Sequence, residues 1–274
     1  EGGDLTVMEL AALLHDLTKP YDGEYVLGSD GKRLVDEHGL WLNAPRPPAR
    51  ENAITRLYEA LHLQGTLHCT SGAVLAEHLL ADEGVDRDII RRVAQTIAHH
   101  LSPPADAPVE SRCLYDADTI DANIGLPALV RNLYINLHFH DQRRAPSEPP
   151  IAEILATDPL RYLRPYIRDS LPRWTLGKRD DFLAKLTTSS GRELALARLD
   201  RLDALLLQLR DELTTLTPLD HNRIGLFLRY MQHTDDPSIW DETERLSREW
   251  AADGASAESL DMLAALRKEM RGEQ

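Results

Sequence analysis

Apolar residues recur at helical spacing along most of the chain. Residues 5 to 16, Leu-Thr-Val-Met-Glu-Leu-Ala-Ala-Leu-Leu-His-Asp, are rich in helix formers, and Lys19-Pro20 ends the run. The same pattern predicts helices at about 52–63, 66–81, 86–100 and 111–123. Another follows the break at Gly125-Leu126-Pro127 and runs to about His138. Residues 21–50 differ. Tyr25-Val26-Leu27, the turn Ser29-Asp30-Gly31-Lys32 and Leu34-Val35 read as a small hairpin near 24–36. Asn43 to Arg50 holds three prolines and reads as loop.

Around Pro146 to Pro150 the composition turns to Pro and Ser, which sets a boundary between residues 1–145, with an insert at 21–62, and a helical region at 146–274. In the latter, Ala195, Leu199, Leu202, Leu206, Leu209 and Leu213 alternate steps of four and three. The stripe is shorter than a full coiled-coil seam needs, so it reads first as a helix packed on its own chain. A homodimer contact through residues 195–213 is the second reading. Thr217-Pro218-Leu219-Asp220 has the cap, proline and acid of a helix start. The expected fold class is therefore all-α, with one small β-hairpin.

Composition narrows the partners. The 274 residues are 42% hydrophobic, enough for a core, and no apolar run is long enough to span a membrane. A formal charge of −14 repels phosphate backbones and argues against nucleic acid, though not against a small phosphorylated ligand in a local pocket. Cys69 and Cys113, the only two cysteines, are too few for a disulfide scaffold, so a reducing cytoplasm is the expected compartment. The opening Glu1-Gly2-Gly3-Asp4 has neither a basic nor an apolar leader pattern.

The chemistry lies in histidines and acids. His15-Asp16 closes an apolar helix, where a bare charged pair would be costly to bury unless it is solvated, paired or bound to metal. His68 opens a helix whose same face carries Gly72, Leu75 and Leu79, so it points inward with space beside it. His100 follows Ile97 by three and Val93 by seven and also points inward. His99 is turned about 100° away, yet within reach of a second metal. Asp118 follows Leu114 by four and offers a carboxylate from a fourth helix.

In this order the residues resemble the HD phosphohydrolase superfamily, a helical-bundle family, over roughly residues 4 to 140. The matching stretches are Ala-Leu-Leu-His15-Asp16-Leu-Thr-Lys19, His68-Cys-Thr-Ser-Gly-Ala, Ile-Ala-His99-His100 and Tyr-Asp-Ala-Asp118-Thr-Ile-Asp. The paired His99-His100 is similar to the two-metal branch. The resemblance implies that Asp16 bridges two metals, with His15 and Asp118 on the first and His68, His99 and His100 on the second. It implies catalysis by Asp16 and a substrate-phosphate contact from Lys19, for which a plain surface lysine is the other reading. Imidazole and carboxylate ligands suit Mn, Fe, Co, Ni or Zn, and Mg is open too.

Two features depart from the family. No His precedes His15 to serve as the family's first ligand, and Thr18 stands where many members have Gly. The expected activity is a metal-dependent phosphohydrolase or phosphodiesterase acting on a nucleotide or other small phosphate ester. The alternatives are a catalytically inactive or regulatory module and an HD-type di-iron oxygenase.

The other histidines read as structural. His138-Phe-His140-Asp141 repeats the dipeptide at a helix end, where a dipole favours His. His38 and His62 read as surface, with a stand-in for the missing first ligand as the second reading of His38; His78 reads as half-buried, and His221 and His233 lack an acidic partner at ligand spacing. Arg46, Arg50 and Arg56 in the insert could meet phosphate or simply be solvated. Trp174, Trp240 and Trp250 read as anchors of the C-terminal helices.

Overall fold

A computed structural model of the chain describes residues 1–35, 42–46, 49–215, 222–232 and 239–273. It is mostly α-helical with one two-stranded sheet, as the pattern predicts. The expectations for His38, His221, His233 and the helix start at 217–220 lie outside the described residues. The chain forms two compact units, 1–118 with 187–189, and 119–186 with 190–274. The division falls inside a helix. The Pro/Ser stretch at 146–150 is instead a connection between two helices of the second unit.

In the first unit, α1 (Leu5–Leu14), α3 (His68–Asp82) and α4 (Arg87–His99) pack around Val7, Ala11, Ala76, Val93 and Ile97. Asp4 caps α1 through its carboxylate, which accepts the Thr6 and Val7 N–H groups. Arg92 of α4 bonds both Asp4 (2.9 Å) and Glu110 (2.8 Å), the latter on α5 (Val109–Asn123). Three helices are thereby fixed near one charged network. Asp116 on α5 is buried and fully engaged, accepting the backbone N–H of Thr187 and of Thr188 and the Thr188 hydroxyl.

The insert differs from its predicted form. The turn at Asp30-Gly31 is present, with Gly31 at φ +74° and a bridge between Leu27 and Arg33. The two-stranded sheet, however, pairs β1 (Asp22–Tyr25) with β2 (Asn43–Pro45), a stretch expected to be loop. Helix α2 (Ala53–Ala60) starts in a capping box between Asn52 and Thr55. Its Tyr58 packs with Leu63 against Leu75 of α3, which attaches the insert to a core helix.

Gly72 sets the approach of α3 to the end of α1. A Cβ there would stand 3.1 Å from the His15 carbonyl oxygen and 3.6 Å from Ile97 Cγ2. Glycine inside a helix costs about 1 kcal/mol relative to alanine, so the close approach must outweigh that cost. Gly72→Val is expected to destabilise the protein by about 1–3 kcal/mol through overpacking. Gly72→Ala should be nearly neutral, because gained helix propensity offsets a small shift. Urea melts of the two variants measure the difference; equal melts would mean that the space at Gly72 is not needed.

The second unit contains α6 (Leu126–Arg143), α7 (Ile151–Thr157), α8 (Pro159–Pro165), α9 (Leu171–Asp181), α10 (Ser189–Thr215), α11 (Arg223–Gln232), α12 (Ile239–Ala252) and α13 (Ala257–Met270), counting α10 from Ser190. Its core includes Leu129, Leu133, Ile167, Phe227, Tyr230 and Leu266. The α10 stripe Ala195, Leu199, Leu202, Leu206 and Leu209 is buried in that same core, the first of its two readings. Trp250 is buried there too, and Trp174 packs against it. No described helix is long and apolar enough to cross a membrane.

Candidate metal centre

Three imidazoles are held by the same device. Each has its Nδ1 against an oxygen: His15 on the Ala12 carbonyl (2.8 Å), His100 on the Ile97 carbonyl (2.7 Å) and His68 on the Asp22 carboxylate (2.5 Å). With Nδ1 donating, each ring presents an unprotonated Nε2, the form in which histidine binds metal. All three Nε2 atoms face Asp16. His15 Nε2 lies 3.6 Å from Asp16 Oδ2, while His68 and His100 Nε2 lie 3.6 and 3.8 Å from Oδ1.

The Asp16 carboxylate therefore stands between two groups of donors. Asp16, His68 and His100 form one, and His15, Asp16 and Asp118 form the other, each with ligand atoms within 4.8 Å of one another. Asp118 Oδ1 is 3.9 Å from His15 Nε2. Helix geometry accounts for the placement. His15 and Asp16 follow the last turn of α1, His68 opens α3, His100 caps α4 and Asp118 projects from α5.

Burial differs between the groups. The His68 and His100 side chains are 8% and 0% exposed, whereas Asp16, Asp118 and Lys19 are 34%, 23% and 50% exposed. The first group is the floor and the second faces solvent. Asp16 Oδ1 is nonetheless shut from solvent and makes no hydrogen bond. A carboxylate oxygen in that state, with two imidazole Nε2 atoms turned toward it, is suited to meeting a cation.

Burial pushes His100 down to about 4, helped by the neighbouring His68 and His15 and opposed by its bond to Ile97, so it is neutral at pH 7. His15 is raised, chiefly by Asp118, against the effect of burial. Burial alone would raise Asp118, but the His15 imidazole and the Lys19 charge outweigh it and hold the carboxyl low. Lys19 Nζ bonds Asp16 Oδ2 at 2.6 Å.

Comparison with family models, curated proteins and solved structures finds no match to this chain.

Of the residues expected at the site, His15, Asp16, His68, His100 and Asp118 come together, with Lys19 beside them. His99 does not join either group. The turn of about 100° from His100 carries it to Ser111, whose Oγ is 3.4 Å from its Nδ1. His140 and Asp141 belong to no such group among the described residues. His62 and His78 are exposed, the latter not half-buried as expected. Arg56 pairs with Glu51 at 3.5 Å, and Arg50 is exposed.

Two contributors had no role in the site assigned from the sequence. Thr18 is buried and its hydroxyl bonds the His68 carbonyl (3.1 Å) and Ser71 Oγ (2.8 Å), so it ties the segment after Asp16 to the start of α3. Asp22 orients His68 from 46 residues away in sequence. Asp22→Ala is expected to lower metal affinity about 10- to 100-fold, with Asp22→Asn intermediate because its carbonyl still accepts from Nδ1. Metal titration followed by calorimetry measures this, and unchanged affinity in Asp22→Ala would remove Asp22 from the site.

Proposed function

We propose that the chain is a metal-dependent phosphohydrolase or phosphodiesterase that acts on a small phosphate ester such as a nucleotide. The observation that carries this reading is Asp16, a half-exposed carboxylate with one oxygen turned to His68 and His100 and the other to His15. The donors fit one or two divalent transition ions: three imidazoles and two carboxylates, Asp118 and Asp16 with its orphaned Oδ1. Asp16, His68 and His100 would hold one ion, and His15, Asp16 and Asp118 the other. Bound cations supply a lowered water pKa and a clamp for phosphoryl oxygens.

The chain's own residues arrange the rest. The deep imidazoles exclude water from the floor, so substrate approaches from the exposed side of Asp118 and Lys19. Lys19 is held on Asp16, within reach of that side, where its ammonium can pair with a phosphate. His15 Nε2 stands between the two carboxylates, 3.6 Å from Asp16 and 3.9 Å from Asp118. The acidic charge of −14 favours a compact substrate over a polymer.

A panel of phosphomonoesters and phosphodiesters, assayed with Mn, Ni, Co or Mg, tests the reading. Hydrolysis that needs added metal and is lost in Asp118→Ala is the expected result. No hydrolysis with any metal, from protein shown to bind metal at Asp16, would favour a binding or regulatory role instead.

A further inference from the structure

The second unit holds a cleft of about 470 Å³, within the size range of small-molecule sites. Its walls come from the last two turns of α6, the 144–148 connection, α7, α8 and the turn after it. In a strongly acidic chain this cleft is locally basic: Arg143, Arg144 and Arg161 line it against the one carboxylate of Glu148.

The charges are not equally engaged. Arg144 donates to the Glu148 carbonyl at 2.8 Å and lies 3.9 Å from Asp141, so it builds the wall. The Glu148 carboxylate accepts the Ala145 N–H at 3.4 Å. Arg143 and Arg161 are exposed and make no ion pair among the described residues. The Arg143 guanidinium lies over the Phe139 ring, 5.0 Å from its centre.

Aromatic rings make up much of the rest of the cleft. Tyr162 stacks on Tyr166 (5.9 Å, 14°), and Tyr166 is buried with its hydroxyl on Asn132. His140 meets the Tyr162 ring edge-on at 5.5 Å, and its Nδ1 is shut from solvent with no hydrogen bond. Tyr166 also begins a π-helical turn, Tyr166–Ser170, directly after Pro165. Such turns widen a helix locally and recur at functional sites.

We propose that this cleft binds a nucleoside monophosphate, its phosphate on Arg143 and Arg161 and its base against Phe139 and Tyr162. Two exposed guanidiniums favour a multivalent oxyanion such as phosphate, and the aromatic faces favour a flat ring on the same ligand. Either feature alone would suit an anion or an apolar compound; together they suit a nucleotide. The site shares no residue with the Asp16 centre, and the proposal does not depend on that centre's activity.

The test is calorimetric titration of the full chain carrying Asp16→Ala, with chelator present so that no ligand is hydrolysed. The probes are the four common nucleoside monophosphates, adenosine, inorganic phosphate and a single-stranded oligonucleotide. At least one monophosphate is expected to bind, about tenfold or more tighter than adenosine or phosphate alone. In the double variant Arg143→Ala/Arg161→Ala the affinity should fall by about tenfold or more, with an unchanged thermal melt because both side chains are exposed. No binding of any monophosphate, equal binding by the double variant, phosphate binding as tight as nucleotide, or binding of the oligonucleotide alone would each overturn the proposal.

Discussion

Asp16→Ala is expected to remove bound metal and turnover together while leaving the helical fold intact. Asp16 is the one side chain common to both donor groups, so its loss leaves each with two ligands. Turnover should fall on the order of 10³-fold or more, because water activation and charge neutralisation are lost at once. The fold should persist or gain slightly, since the variant deletes a carboxylate oxygen that is buried without a hydrogen bond. His15→Ala should spare metal held with His68 and His100. Asp141→Ala, in the other His-Asp pair, should change neither metal nor turnover. Elemental analysis of the purified variants, with circular dichroism as the folding control, decides the matter. Full metal content in Asp16→Ala would mean that the site lies elsewhere.

Glu269→Ala should do the reverse: lose stability and keep the metal. The Glu269 carboxylate is fully buried in the second unit and caps α6 by accepting the Leu126 N–H at 2.7 Å. It also pairs with Arg201 and lies 4.0 Å from Arg198 Nε. Gly125, at φ +109°, leaves the space that this carboxylate enters. Removing it leaves the buried Arg198 guanidinium without a counter-charge and the Leu126 N–H unsatisfied, a loss of about 3–5 kcal/mol. Glu269→Gln should lose less, since it keeps the cap. Thermal melts should show the loss as a transition lower by about 6–20 °C for a unit of this size. A shift under about 2 °C would mean that the buried charges are solvated another way.

Much of this architecture could be read from helical period. His100 faces inward because Ile97 and Val93 share its face, and all three are buried. His68 with Gly72 and Leu75 follows the same logic, as does Asp118 after Leu114. His99 marks the limit of such reasoning: adjacency in sequence is a turn of about 100° on a helix, and that angle takes it out of the centre. Asp118 stands out as the acid four residues after Leu114. Only tertiary contacts show that Asp116 is spent on Thr187 and Thr188.

What was illegible depends on distant partners. Asn43-Ala44-Pro45 has no apolar alternation, and it is a strand only because β1 lies beside it. Asp22 orients His68 across the insert, a pairing that no local spacing encodes. The boundary between the two units runs through α5, whose sequence reads as one uninterrupted helix. Prolines and serines at 146–150 mark a turn between helices equally well.

The most direct measurement is an anomalous-difference map from crystals of the protein grown with manganese. The expected result is one or two peaks bonded to the Asp16 carboxylate, with His68 and His100 Nε2, or His15 Nε2 and Asp118, about 2.0–2.3 Å away. Manganese bound only at other residues, with Asp16 still held by Lys19 alone, would contradict the metal centre.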